Sequence, residues 1–342
     1  MYTAAVLGAS GYAGGELVRF LDGHDGFSVG LLGAKSKAGQ YLGSVHPQLG
    51  GRDRLLEAYD AAALAVFDVV FMALPHGASA EPAMELLDAG VKIVDLGSDF
   101  RLDSDDRYLE AYGAVHPFPD QLGVWAYGIP ELFSQDIAVA DSVAVPGCYP
   151  TSVVIPLAPL ISQDLISPIG IIADSMTGAS GAGRGADEAL SFGAIDESAT
   201  AYKMLTHRHR PEMEQALETM TDTDVSILFT PHLVPMQRGI LSTTYSTPRP
   251  GLTLDDVVDA FDNLYSKSPF VQRVDDPPHT RWVVGSNNVI VSYHLDGRTN
   301  TLVAVSALDN LVKGAAGQAV QCANLMFGFD PAEGLPTDGW MP

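Results

Sequence analysis

Apolar residues in the first 150 positions fall into short runs separated by helix-spaced patterns. Positions 2–7 predict a strand, 15–21 the first turns of a helix and 27–32 a second strand. The run 68–74 is nearly continuous in apolar side chains, as expected of a strand covered on both faces. Positions 82–87 fit a helix, 91–96 a fourth strand and 142–145 a further one. Strands that alternate with helices predict βαβ units and a parallel sheet. The connection from Gly97 to Val143 is rich in Asp, Tyr and Pro, and loops that long in a compact domain are usually functional.

The pattern changes after Cys148. Positions 169–176, 225–228, 240–246, 289–295 and 302–308 read as strands, with one clear helix at 254–265. Several strands follow one another without an intervening helix, which predicts a mixed or antiparallel sheet. The tail, 310–327, predicts one long helix with small residues at Gly314, Ala315, Ala316 and Gly317. No repeat or low-complexity linker breaks the chain.

A length of 342 residues suits two domains at roughly 100–200 residues each. With 46% hydrophobic and 18% charged residues, the composition is globular. The net charge of −23 repels phosphate backbones and anionic membranes, so nucleic acid is not an expected partner. No apolar run reaches the ~20 residues that span a bilayer, and the N-terminus lacks the basic start of a secretory signal. Two distant cysteines, Cys148 and Cys322, make no disulfide scaffold and fit a reduced, cytoplasmic setting. In so acidic a chain an anionic substrate needs a local basic pocket, which makes the few Arg and Lys residues informative.

Gly8-Ala9-Ser10-Gly11-Tyr12-Ala13-Gly14 follows the first strand and opens a helix. The spacing is G-x-x-G-x-x-G, and glycines there allow a tight turn and close approach of a pyrophosphate to free helix N–H groups. A plain tight turn would read the same way. Dinucleotide sites selective for NAD carry an acid after the second strand; here the place reads Gly33-Ala34-Lys35-Ser36-Lys37. Without a carboxylate, and with Lys35, Ser36 and Lys37 available for a 2′-phosphate, the expected cofactor is NADP(H). The plain alternative is that both lysines are solvated surface residues.

Val145-Pro146-Gly147-Cys148-Tyr149-Pro150 joins a strand to an apolar run. A cysteine in such a turn lies near a helix N-terminus, which favours the thiolate, and nearby N–H groups can hold an oxyanion. Gly147 removes a side chain that would block approach. Cys322, inside the apolar tail, reads as a buried, inert thiol. A nucleophilic cysteine needs a proton-handling partner. His207-Arg208-His209-Arg210-Pro211-Glu212 concentrates cationic groups in an acidic protein and supplies two histidines. Pro211 followed by Glu212 equally suits an ordinary helix start with a dipole-favoured acid.

Taken together these segments closely resemble the N-acetyl-γ-glutamyl-phosphate reductase family. The match includes the glycine turn, Ser98-Asp99-Phe100-Arg101-Leu102, Tyr127-Gly128-Ile129-Pro130-Glu131, Pro146-Gly147-Cys148-Tyr149-Pro150-Thr151 and Gly178-Ala179-Ser180-Gly181-Ala182-Gly183-Arg184. His207-Arg208-His209, Pro231-His232-Leu233-Val234-Pro235-Met236-Gln237-Arg238-Gly239 and the tail from Asp309 to Gln318 belong to it as well. The resemblance implies an α/β fold: a Rossmann-type parallel-sheet domain, residues 1–147 plus 310–342, completed by the C-terminal helix. A central α+β catalytic and dimerisation domain with a mixed sheet, residues 148–309, would make the main subunit contact of a homo-oligomer, dimer or tetramer.

The family pattern implies Cys148 as nucleophile and His209, with His207 second, as acid–base partner. Gly8, Ser10, Gly11, Tyr12, Ala13, Pro75, Gly181 and Asn310 would line the cofactor. Arg101, Arg208 and Glu212 are the first candidates for substrate, with Arg184, His207 and Arg238 behind them, and any arginine could instead be a structural ion-pair partner. Lys35 and Lys37 depart from the family's usual pattern, so the 2′-phosphate assignment rests on their chemistry. No metal is implied. The implied reaction is reduction of N-acetyl-γ-glutamyl phosphate through a Cys148 thioester, releasing inorganic phosphate and the semialdehyde, with His209 supplying a proton as the hemithioacetal collapses. The alternatives are a reductase of aspartyl phosphate or of a carrier-bound aminoadipyl phosphate, or a non-catalytic dinucleotide-binding sensor. The charge of −23 speaks against docking an acidic carrier.

Overall fold

The apolar runs of the N-terminal third become parallel strands: β1 (Tyr2–Leu7), β2 (Phe27–Gly33), β3 (Val69–Met72), β4 (Lys92–Asp95), β5 (Ala126–Tyr127) and β6 (Ser142–Ala144). They form one sheet in the order β2-β1-β3-β4-β6-β5, every pair parallel. In the computed structural model, which describes residues 1–185 and 188–340, all four residues of β3 are fully buried. The long 97–143 connection is not structureless: it holds helices Asp105–Tyr112 and Pro130–Val139 besides β5. Its mixed polarity hid them, because both helices bury only one or two side chains.

Seven strands make the second sheet: β7 (Ile171–Thr177), β8 (Thr200–Ala201), β9 (Ile227–Leu233), β10 (Ile240–Ser246), β11 (Val271–Arg273), β12 (Val289–Asp296) and β13 (Thr301–Leu308). The order is β11-β12-β13-β10-β7-β9-β8, mixed in direction. The strand expected at 225–228 starts at Ile227 and runs on through Pro231 to Leu233; Pro231 and the half-exposed His232 broke the apolar signal. The two- and three-residue strands β8 and β11 are too short to leave a period.

The chain divides into two compact units. The first comprises Met1–Asp105, Val115–Pro146 and Ala315–Leu335; the second comprises Asp106–Ala114, Gly147–Gly314 and the C-terminal stretch from Pro336. In the first, the buried helix Gly317–Met326 packs on the Pro130–Val139 and Tyr12–Leu21 helices. In the second, Asp106–Ala114 is tied in by Arg107 to Glu218 and by Glu110 to Arg210.

The tail does not form the single long helix expected from 310. A π-turn, Val312–Ala316, precedes the α-helix Gly317–Met326. Asp309 causes the change: its Oδ1 accepts the Leu311 N–H at 2.8 Å, and its carbonyl accepts the Gly314 N–H at 2.9 Å, five residues on.

At the centre of the second unit the helix Cys148–Ser162 lies against β10 and β13. Pro156 and Pro159 within it cannot donate, which leaves the carbonyls of Ser152 and Ile155 without their i+4 partners. Hydroxyls from outside fill both places: Ser306 Oγ donates to Ser152 O at 2.5 Å and Tyr265 Oη to Ile155 O at 2.8 Å. A row of buried hydroxyls joins the sheet to the same helix: Ser152 Oγ donates to Tyr149 O, and Ser242 Oγ lies 2.7 Å from Ser152 Oγ and 2.6 Å from Ser175 Oγ.

Candidate active site

Strand β6 ends two residues before Pro146, and Gly147 caps the helix that starts with Cys148. Gly147 has no side chain with which to cap. Its backbone N–H donates instead to Glu212 Oε1 at 2.8 Å, and Glu212 is fully buried in the helix Arg210–Glu218. Cys148 is the first residue of a fifteen-residue helix and is half-buried. There the positive end of the helix dipole favours negative charge on sulfur. Cys322 is fully buried and donates weakly to Gly128 O at 3.6 Å.

Tyr149 is buried and turns its ring edge towards His207 and His209, with centroids 5.5 and 6.0 Å away. The two imidazoles lie 4.7 Å apart, and the His209 N–H donates to His207 Nδ1 at 3.2 Å. Burial, helped by the charges of Lys203 and Arg208, pulls His207 down to about 4. Tyr149 Oη and Tyr202 Oη are 2.9 Å apart. Burial raises both phenols, Tyr202 to about 12, and charge on Cys148 adds to each. Neither tyrosine stood out as chemistry in the sequence; only the position of Tyr149 beside Cys148 hinted at it.

The second unit thus brings together Cys148, His207, His209 and Glu212. Arg208 is exposed, with its charge felt at His207. Arg184 is exposed. Arg238 pairs with the buried carboxylate of Asp309, Nη2 to Oδ2 at 3.2 Å. Asn310 is buried; its Oδ1 accepts the Gly239 N–H at 2.8 Å and its Nδ2 donates to Ser180 Oγ at 3.1 Å, beside the exposed Gly181.

The other expected residues belong to the first unit. Gly8 has φ +77°, and a Cβ there would stand 2.2 Å from Ala73 O. A Cβ on Gly14 would stand 2.1 Å from Gly8 O. The turn therefore folds tightly onto the carboxyl ends of β1 and β3, where the strand order reverses, and opens the helix Tyr12–Leu21 at Gly11 with no side-chain cap. The first-turn N–H groups of Tyr12 and Ala13 suit a pyrophosphate. His46, missed in the sequence, braces this turn: its Nε2–H donates to Ala9 O at 3.0 Å, and its ring fills the space where a side chain on Gly15 would be. Lys35 and Ser36 are exposed and Lys37 half-exposed just past the end of β2. Pro75 is exposed after β3. The adjoining loop is held by Asp99, which accepts the N–H groups of Gly77, Ser79 and Ala80 at 2.7–3.1 Å. Arg101 is buried and donates to Leu96 O at 2.8 Å.

The parallel sheet with its glycine turn, joined to a mixed-sheet unit that opens on a cysteine, defines a protein of the semialdehyde dehydrogenase class. Residues 3–140 match the family described as semialdehyde dehydrogenase, NAD binding domain, and residues 148–310 the one described as semialdehyde dehydrogenase, dimerisation domain. The crystal structure of aspartate semialdehyde dehydrogenase II from Vibrio cholerae, complexed with ASA, shares the fold with a TM-score of 0.72 at 18% identity, covering 96% of this chain and 98% of that one. Sequence relatives are much nearer. The chain is 45% identical over 335 residues to an N-acetyl-gamma-glutamyl-phosphate reductase of Magnetococcus marinus, covering 97% of this chain and 96% of the relative. It is 43% identical to one of Rhodopirellula baltica, covering 97% of each. The chain belongs to the N-acetyl-γ-glutamyl-phosphate reductase family.

Proposed function

We propose that the chain catalyses the NADPH-dependent reduction of N-acetyl-γ-glutamyl phosphate to N-acetyl-L-glutamate 5-semialdehyde, with release of phosphate, as a step of arginine biosynthesis. The observation that carries the reading is the near-full-length likeness to reductases named for that substrate, in a chain whose Cys148 opens a helix beside His207, His209 and Glu212.

The Cys148 thiolate attacks the acyl carbon. The carbon–oxygen bond to phosphate breaks, and the phosphate takes a proton for which His209 is the donor. A thioester on Cys148 remains. NADPH, when bound, supplies a hydride to the thioester carbonyl carbon. His209, reprotonated from solvent, gives a proton to the resulting oxyanion and takes it back as the carbon–sulfur bond breaks. The aldehyde leaves and the helix N-terminus receives the thiolate again. His207 suits a positioning role instead. Held near 4 by burial, it is neutral at pH 7, and its Nδ1 already accepts the His209 N–H. Glu212 holds the cap of the nucleophile's helix through Gly147. Arg208 and Arg101 remain the candidates for the substrate's anionic groups.

Lys35, Ser36 and Lys37 support NADP over NAD, because they offer cations and a hydroxyl where an acid would repel the 2′-phosphate. A second copy of the chain covers the open face of the second sheet, where Ile172, Met176, Leu228 and Tyr245 are exposed. A reduced cytoplasmic setting suits a nucleophilic thiol at Cys148; among the described residues no helix is long and apolar enough to cross a membrane.

The deciding experiment runs the reaction in reverse, following phosphate-dependent reduction of NADP by N-acetylglutamate semialdehyde with wild type and Cys148→Ser. Activity that needs phosphate and vanishes in the variant supports the reading. Turnover in Cys148→Ser at the wild-type rate ends the covalent mechanism, and equal kcat/KM for NADPH and NADH ends the 2′-phosphate assignment.

A further inference from the structure

Gly314 stands directly behind the nucleophile. A Cβ built on it would lie 2.6 Å from Cys148 Cβ and 3.2 Å from Cys148 Cα. No real carbon atoms approach so closely without one of them moving. The glycine sits inside the π-turn Val312–Ala316, and π-turns are rare and frequently found at functional sites. The turn is held from one residue. Asp309, fully buried, spends one carboxylate oxygen on the N–H groups of Leu311 and Val312, at 2.8 and 3.3 Å. Its other oxygen accepts the Gly285 N–H at 2.7 Å, and Arg238 reaches both, its Nη2 lying 3.2 Å from Oδ2 and donating to Oδ1 at 3.3 Å. The Asp309 carbonyl takes the Gly314 N–H itself at 2.9 Å. Carboxylate and carbonyl together set where the Gly314 backbone lies, and that backbone is the wall against which the Cys148 side chain rests.

We propose that Asp309 and Gly314 are positioning residues for Cys148: Asp309 fixes the π-turn, and Gly314 presents a bare backbone that sets the height and direction of the sulfur. The inference rests on the reading of Cys148 as nucleophile. Both act through the cysteine. Ordinary helix continuation through 310–316 would leave the turn without its five-residue bond, so the irregularity is explained by what it places.

The test uses Gly314→Ala and Asp309→Asn in the full chain, with three readouts. The first is the rate at which iodoacetamide alkylates Cys148, located by mass, as a function of pH. The second is kcat against KM for the acyl phosphate. The third is a double-variant comparison in which Cys148→Gly, which lacks the Cβ, is combined with Gly314→Ala. A misplacement of about 1 Å can cost roughly 10²-fold in rate, so the expected result for Gly314→Ala is a kcat lowered by about that factor with KM little changed. The alkylation profile should be displaced or slowed at least tenfold, in the direction of an obstructed thiolate, by the same reasoning. Asp309→Asn, which turns an acceptor into a donor facing N–H groups, should follow with the same split. The thermal midpoint lost to Gly314→Ala should be regained in the Cys148→Gly background; this arm holds even if the single variant folds poorly. Gly314→Ala and Asp309→Asn proteins with wild-type kcat and wild-type Cys148 alkylation, or a midpoint loss that Cys148→Gly does not repair, overturn the proposal. If Cys148→Ser keeps full turnover, the nucleophile reading fails instead, and the alkylation and stability arms still report on the contact.

Discussion

Gly147 and Glu212 meet through one hydrogen bond, backbone N–H to Oε1 at 2.8 Å, in a part of the molecule closed to water. That bond fixes the residue on which the Cys148 helix begins. A buried N–H left without its partner costs about 1–3 kcal/mol, so Glu212→Ala should lower stability by about that amount and depress kcat. Glu212→Gln keeps an acceptor oxygen and should retain most of both. Thermal melts and steady-state rates on the pair check this; equal losses in Gln and Ala would remove the bond from the account.

His207 and His209 should separate sharply. A placed acid–base group contributes about 10²–10⁴ in rate, so His209→Ala should lose turnover in that range. His207→Gln should lose far less, because it removes only an acceptor for the His209 N–H. Rates measured across about pH 6–9, which takes in the ordinary titration range of imidazole, decide the ranking. A His207 variant worse than the His209 variant would reverse the roles.

Two buried titrating groups give the pH dependence of stability opposite signs. Asp95 is fully buried, and burial, partly offset by hydrogen bonds from Gly97 and Ser79, raises it to about 7. The folded form then holds its proton more tightly than the unfolded chain. Its contribution is fully present below the ordinary carboxylate range and is lost as pH rises through about 7. His207, lowered to about 4, works the other way: the unfolded chain binds the proton more tightly, so stability is lost as pH falls from the ordinary imidazole range through about 4. Asp95→Asn should therefore gain stability above neutrality, by on the order of a few kcal/mol, and show no gain in acid. His207→Gln should flatten the acid limb. Denaturant melts at several pH values read both, and a pH-independent gain in Asp95→Asn would contradict the assignment.

Tyr265→Phe tests the repair of the proline-broken helix. Losing the hydroxyl strands the Ile155 carbonyl that Pro159 cannot serve. An unsatisfied buried acceptor costs about 1–3 kcal/mol. The variant should melt earlier by that equivalent while keeping kcat/KM for the acyl phosphate. A change confined to activity would mean that the hydroxyl serves the site rather than the helix.

Charging the open face of the second sheet should dissociate the proposed homo-oligomer. Ile172 and Met176 stand on one exposed face of β7, and Ile172→Asp with Met176→Asp would bury unpaired carboxylates in any sheet-to-sheet contact. Sedimentation should show a shift to monomer; an unchanged oligomer would locate the interface elsewhere.

The parallel sheet was legible because buried strands need near-continuous apolar runs, and β1 and β3 supply them. Cys148 was legible because a glycine and a cysteine at a strand-to-helix junction have few structural uses. The histidine pair was legible as a cluster; the division of labour proposed for it draws on burial and on the Nδ1 of His207 facing a backbone N–H. Asp309 and Gly314 could not be read beforehand. The contact of Gly314 with Cys148 is long-range, and a run of small residues after an Asp-Asn pair looks like plain helix. Pro156 and Pro159 argue locally against the helix they occupy, and only the distant Tyr265 and Ser306 explain why it survives.

The buried row of serines carries a direction. Ser152 spends its hydrogen on the Tyr149 carbonyl, so Ser242 must give its own to Ser152, and Ser175 its own to Ser242. Replacing Ser175 by alanine first strands no donor, and Ser242 can be replaced next at the same low cost. Taking Ser242 first leaves the Ser175 hydroxyl with nothing to donate to. Lineages drifting at these three sites should therefore shed their hydroxyls from the sheet inward, and chains that keep Ser175 while lacking Ser242 should be scarce: the core records a history with a preferred order.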